Sequence, residues 1–264
     1  MNDVDYTLLV DQFRLFMLIF VRISAMAVSA PVLSSALLRV PVQLIVGLVS
    51  ALSLIVFSQL PPDTVLPDWG WAYALMIGGE VLMGVSLGFL VSLIIGGIQI
   101  GGEIIDHLIG FAVVDVIDPV TNESASLIGN LKGLLATLLF LLLHGHHHMF
   151  RGLMRTFEAV PPGAAGMPIA VWPFILGYSE ALFSVGLQIA APCLIVMTLI
   201  YVPEGFLARM VPQLNLMIND VPFRIAIGLF IVWLGLGPMM SVITRLIEEI
   251  AAASDHFALI AAGV

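Results

Sequence analysis

The sequence predicts an all-α, polytopic hydrophobic protein with about six long apolar helices, surrounded by lipid or by apolar partners. Three observations carry that fold class. Of 264 residues, 60% are hydrophobic and only 10% are charged, with a mean hydropathy of +1.11. A soluble domain carries about a quarter charged residues, so too few polar side chains exist here to cover a water-facing surface. The apolar residues fall into runs near the roughly 20 residues that cross a hydrocarbon core. Proline and glycine punctuate the chain where those runs stop.

The first run is Phe13 to Ala30, interrupted by Arg14 and Arg22. The second, Pro41 to Leu60, ends at Pro61-Pro62-Asp63. Trp71 to Ile98 is the third, and Leu127 to Leu143 the fourth, closing on a histidine cluster. The loop after it carries Arg151 and Arg155, then Pro161-Pro162-Gly163. The fifth, Ile175 to Tyr201, contains Pro192, and the sixth is Phe223 to Ile247. Trp69, Trp71, Tyr73 and Trp172 sit near segment ends, as aromatic residues do at a membrane interface. The nine basic residues do not alternate cleanly between loops, so they set no orientation.

Two stretches break the simple pattern. Residues 98–126 are glycine-rich and hold Glu103, Asp106, His107, Asp115, Asp118 and Glu123. Residues 203–222 hold Glu204, Arg209, Gln213, Asn215, Asn219 and Asp220. Both are too polar for lipid and too apolar for a solvated loop. Non-helical backbone at membrane depth is tolerated where protein buries it or water lines it, so these stretches are functional candidates.

Several functions are disfavoured. A net charge of -9 argues against nucleic acid, which needs a basic footprint. A single cysteine, Cys193, excludes an internal disulfide or a cysteine-based zinc site. The acidic start, Met-Asn-Asp-Val-Asp, lacks the basic region of a secretory signal, although Ala25 and Ala27 superficially resemble a cleavage site. Gly84-Val-Ser-Leu-Gly88 matches G-x-S-x-G but lies mid-run with no strand before it, so no nucleophile elbow is expected.

The remaining motifs have structural readings. Gly84/Gly88 and Gly97/Gly101 are G-x-x-x-G spacings, which let helices approach closely. His144-Gly-His146-His147-His148 reads as a polar cap rather than a metal set, because only His144 and His148 share an i, i+4 face and no carboxylate stands among them. No cofactor is expected. Arg22, Glu80 and Glu103 lie in or beside apolar runs, where a charge is either functional or half of a helix-to-helix ion pair. Glu103 and Asp106 share a helix face and would repel if both were buried. Met210, Met217, Met239 and Met240 suit either a deformable gasket or an ordinary core.

Four segments together resemble one family in order and spacing. They are Gly110-Phe-Ala-Val-Val-Asp-Val-Ile-Asp118-Pro119, Leu138-Leu-Phe-Leu-Leu-Leu-His-Gly145-His146, Pro212-Gln213-Leu-Asn215, and Pro222-Phe-Arg-Ile-Ala-Ile-Gly228-Leu229. The chain resembles the flagellar export-gate family FliR, whose injectisome relatives are the SctT proteins, over residues 13–247 and as a single domain spanning 1–264. His144 departs from the asparagine common in that family.

The resemblance implies a multi-pass protein of the bacterial inner membrane and flagellar basal body. It implies tilted helical hairpins packed against FliP- and FliQ-type subunits and contact with an FlhB-type subunit. The implied function is a non-enzymatic pore for unfolded flagellar proteins. By match, residues 106–124 form a plug loop. Its apolar residues Phe111, Val113, Val114, Val116 and Ile117, framed by Gly110 and by Asp118-Pro119, would block ions until substrate displaces them. The rivals are an injectisome gate subunit, a small-molecule secondary transporter and an intramembrane hydrolase. A transporter calls for inverted repeats and paired broken helices, and the sequence halves show only weak similarity.

Overall fold

The structure is a computed structural model that describes residues 3–31, 41–59, 70–111, 126–164, 171–210 and 216–261. The described residues form eight helices and no strand. These are α1 (Asp3–Ser29), α2 (Val42–Gln59), α3 (Trp71–Ile109), α4 (Leu127–Leu142), α5 (Gly145–Ala159), α6 (Val171–Met210), α7 (Leu216–Leu234) and α8 (Leu236–Ala261). Four of them contain spans long and apolar enough to cross a membrane: Leu9–Ser29, Val42–Gln59, Trp71–Ile109 and Ile175–Leu207. Counting α4 with α5 as one broken span, and α7 with α8 as another, brings the total to six.

The elements depart from the sequence reading at four places. The third segment does not stop at Ile98, because α3 continues to Ile109. Glycine inside a helix costs about 1 kcal/mol relative to alanine, but here Gly101 and Gly102 are seated against neighbouring helices. Glu103 faces outward and Asp106 inward, so the polar residues fit the helix and the two carboxylates are not both buried. The fifth segment extends through both Pro192 and Pro203 to Met210, so the front of the second polar stretch is helix. Helices inside a membrane tolerate proline where neighbours satisfy the freed carbonyl.

The sixth segment is two helices. Chain direction changes by 47° where α7 gives way to α8 around Gly235, and Pro222 lies inside α7. The loop expected at Arg151 and Arg155 is helix α5. It buries Met149, Leu153 and Phe157, spaced by four on one face, with charged residues elsewhere. That amphipathic pattern is invisible to a search for continuous apolar runs.

The chain divides into two compact units, Met1–Ser92 with His144–Tyr178 and Ile247–Val264, and Leu93–Leu143 with Ser179–Leu246. In the first unit, Phe16 of α1 meets Phe57 of α2 edge-on at 6.1 Å. Only Val49, Ser53 and Val56 of α2 are buried, while Leu44, Val46, Leu54 and Ile55 are exposed. So much exposed apolar surface on one helix requires lipid or a protein partner.

The first unit closes around a buried ion pair. Arg22 Nε donates to Glu80 Oε2 at 2.5 Å, and both side chains are 0% exposed. Arg22 Nη1 donates to the carbonyls of Thr156 and Val160, each at 3.1 Å. The guanidinium lies 4.3 Å from the centre of the Phe157 ring. Glu80 Oε1 accepts from Gly163 N at 2.9 Å, in a turn where Gly163 holds a φ of 86°. The pair therefore ties α1, α3 and the end of α5 together, which resolves the two sequence readings of Arg22 and Glu80 in favour of a helix-to-helix pair.

The same helices touch backbone to backbone. A Cβ on Gly84 would stand 2.2 Å from the Arg22 carbonyl oxygen, and one on Gly88 2.6 Å from that of Met26. These are backbone atoms that cannot swing aside. Gly84→Ala is expected to push α1 from α3 and to destabilise the protein by about 1–3 kcal/mol. A thermal melt in detergent checks this, with Gly78→Ala, where nothing lies within 4 Å, leaving the midpoint near wild type.

The candidate gate segment and its anchors

Most of the candidate plug loop, including Val113, Val114, Val116, Ile117, Asp118 and Pro119, lies outside the described residues, as do Pro212, Gln213 and Asn215 of the family motif. What the structure describes is how the second unit holds both ends of the loop.

Helix α3 ends because Gly110 takes a φ of 97°, a left-handed conformation that glycine adopts without Cβ strain. The amides of Gly110 and Phe111 both donate to the Asp106 carbonyl, at 3.0 and 3.1 Å. Phe111 is then packed against a core of Ile105, Ile109, Ile128, Ala190, Cys193 and Met197, with Val232. The loop thus leaves α3 with its first aromatic residue already seated.

At the other end Ser126 caps α4 by accepting from Gly129 N at 2.9 Å, the usual role of serine at this position. The carboxylate of Asp106 completes the arrangement. It accepts from Ser126 Oγ, from Ile128 N at 3.0 Å and from Gly129 N at 3.4 Å. Asp106 is 3% exposed. One buried residue therefore receives the departing chain on its carbonyl and the returning chain on its carboxylate, so the two residues that flank 112–125 are both tied to Asp106.

Close helix contacts surround this clasp. A Cβ on Gly102 would come 2.5 Å from the Cα of Gly129, and one on Gly133 2.5 Å from the Gln99 amide. These glycines set α3 against α4. Gly97 and Gly101 set α3 against α6, with would-be Cβ distances of 2.8 Å to the Leu182 carbonyl and 2.7 Å to that of Gly186. All of these approaches are made within the chain. Lys132 is buried one turn into α4 at 4% exposed, within electrostatic reach of Cys193 and Asp106.

The second polar stretch supplies a further anchor in the same unit. Tyr201 of α6 donates its hydroxyl to the Leu108 carbonyl in the last turn of α3. The Arg224 guanidinium lies 4.6 Å from the Tyr201 ring centre and bonds the Glu204 carboxylate at 2.5 and 3.3 Å. It also pairs with Asp220 one turn earlier on α7. Gly228 admits Ile109, whose Cγ1 would lie 2.3 Å from a Cβ there. Glu204, Asp220 and Arg224 thus cross-link α6 to α7, and Tyr201 links them to the helix end where the loop begins. Tyr201→Phe is expected to cost about 1 kcal/mol and to raise hydrogen exchange at Gly110 and Phe111.

Of the other sequence candidates, Pro222 is exposed on α7, Gly145 is buried and His146 is half-buried at the start of α5. The sequence reading gave Lys132 no role and did not identify Asp106 as a clasp. Its one signal was Asp106 in a polar-apolar stretch twenty residues before a serine that opens an apolar run.

A family model described as bacterial export proteins, family 1, matches residues 13–250. The chain belongs to this family. It is 31% identical over 227 residues to the flagellar biosynthetic protein FliR of Bacillus subtilis, a match covering 83% of this chain and 85% of that protein. Identity to the protein of the same name in Escherichia coli is 26% over 208 residues, covering 79% and 78% of the two chains. A third relative is the Yop proteins translocation protein T of Yersinia pestis, 25% identical over 230 residues, with 86% and 87% covered. The matched span includes both loop anchors and every glycine contact described above.

Proposed function

We propose that this chain is a core subunit of the bacterial flagellar type III protein export gate. In this reading it forms, with FliP- and FliQ-type subunits and in contact with an FlhB-type subunit, the pore for unfolded flagellar proteins. It does so as one functional domain in the inner membrane, at the flagellar basal body, and has no catalytic role. Family membership, together with similarity to proteins named for flagellar biosynthesis, is the observation that carries this reading. The exposed apolar faces support it, because α2 and the outer faces of α6 and α7 present Leu54, Ile55, Ile195, Leu199, Phe230 and Trp233 to lipid or partner subunits.

The plug expected over residues 106–124 starts only after α3, which carries residues 106–109, so residues 110–124 serve as the plug. The residues that flank the undescribed part of this segment, Phe111 and Ser126, are both tied to Asp106, which supports a segment anchored where it leaves α3 and where it enters α4. Beyond Gly110 and the seated Phe111, Val113, Val114, Val116 and Ile117, followed by Asp118 and Pro119, supply a short apolar obstruction that excludes hydrated ions by dewetting. Gly145, His146, Pro212, Gln213, Asn215 and Pro222 complete the family pattern, and Gly84, Gly88, Gly97 and Gly101 keep the helices close.

The experiment is deletion of the gene followed by complementation. Loss of secreted flagellar protein and of motility, restored by the wild-type chain, is the expected result. The similarity to the Yersinia pestis translocation protein favours one second reading, an injectisome subunit. In that case the deletion strain would still swim and would lose virulence-type secretion instead.

A further inference from the structure

We propose that His144, His146 and His147 form a binding site for a divalent transition-metal ion of the zinc class. Each of the three offers one ring nitrogen, and these nitrogens lie within 4.8 Å of one another. The backbone explains the grouping. His144 is the only non-glycine among the described residues with a positive φ, at 58°, a left-handed conformation in which histidine is enriched relative to most side chains. That turn lays its ring over His147, with centres 5.2 Å apart and planes 10° from parallel. The rings of His146 and His147 are 4.3 Å apart. His148, the partner that helical spacing alone would give His144, is outside the group.

The Nδ1 of His146 is buried and has no hydrogen-bond partner among the described residues, and a buried polar atom calls for one. Three imidazoles with no carboxylate suit zinc, nickel or copper rather than calcium or magnesium. Zinc–nitrogen bonds of about 2.0–2.1 Å put ligand nitrogens roughly 3.3 Å apart in a tetrahedron. The exposed rings of His144 and His147 close that gap by side-chain rotation. The fourth position is left to water, as in other zinc sites with three protein ligands. The amino end of α5 carries partial positive charge and opposes a cation, whereas three donor nitrogens bind it directly.

The test uses the full chain, purified with its partner subunits, stripped of metal and carrying no histidine tag. Titration with Zn2+ is expected to show one saturable site. His144→Asn keeps a residue that tolerates the left-handed backbone, and His147→Gln changes an exposed side chain. Each is expected to weaken Zn2+ binding at least about tenfold, while His107→Gln on α3 leaves it unchanged. Should a variant fail to fold, Co2+ added to the wild type still decides the matter. Visible d–d bands of a tetrahedral site without thiolate charge transfer support the site, and their absence overturns it. Wild-type protein that binds no Zn2+, or folded variants that bind it as well as the wild type, also overturns it.

Discussion

Glu80→Ala is expected to destabilise the first unit by about 3–5 kcal/mol, the cost of leaving one member of a buried ion pair without its partner. Arg22 is fully buried, and its remaining partners are two carbonyls and one aromatic ring. None of these neutralises its charge. Arg22→Met is expected to be similarly damaging, because Glu80 would keep only the amide of Gly163. The double replacement Arg22→Met with Glu80→Leu removes both charges and is expected to recover most of the loss, since an apolar pair of similar volume often replaces a buried ion pair at little cost. Denaturation in mixed detergent, read on the wild type, Arg22→Met, Glu80→Leu and the double replacement as a double-mutant cycle, checks this. Additive single-site effects would mean that the two residues act independently.

Asp106→Ala carries the second large effect. It strips the acceptor from the Ser126 hydroxyl and from the amides of Ile128 and Gly129. Burying such groups unpaired costs about 1–3 kcal/mol each, although Ser126 still caps Gly129 N and water relieves part of the rest. A net loss of about 2–3 kcal/mol is expected. It is local, so hydrogen exchange at Ile128 and Gly129 rises far more than exchange in the middle of α4. The carbonyl of Asp106 still holds Gly110 and Phe111, so the α3 end of the loop stays fixed and only the α4 end is released. Ser126→Ala is expected to cost less, about 1 kcal/mol, because the carboxylate remains.

Both effects arise at residues whose importance the sequence showed only in part. Charges inside apolar runs are visible by inspection, and Arg22 and Glu80 could be singled out for that reason. Their pairing, across 58 positions, could not be read, because nothing local encodes which helix lies beside which. The apolar spans were legible since lipid-scale hydrophobicity is a continuous signal. Helix α5 was not, because one buried side chain per turn looks like an ordinary loop to a run-length search. The extension of α3 from Ile98 to Ile109 was hidden by glycines and acids that usually end helices. Only the tertiary contacts of Gly101 and Gly102, and the inward turn of Asp106, reverse that expectation. The histidines were read at ideal helical spacing, and the left-handed backbone of His144 regroups them.

The glycine contacts also sharpen what the high hydropathy means. Part of the apolar content serves interior packing, as at Gly97, Gly101 and Gly102 against neighbouring helices. Another part, on α2 and along α6, stays outside and awaits lipid or partner subunits. A chain divided in this way suits assembly into a larger membrane complex.

We propose that the loop beginning at Gly110 closes a protein-conducting pore. Ion conductance of the complex reconstituted in planar bilayers, compared with and without deletion of residues 113–117, tests it most directly. A tight barrier is expected for the wild-type complex and a steady leak of small ions for the deletion, with assembly unchanged. Equal conductance from two fully assembled complexes would contradict it.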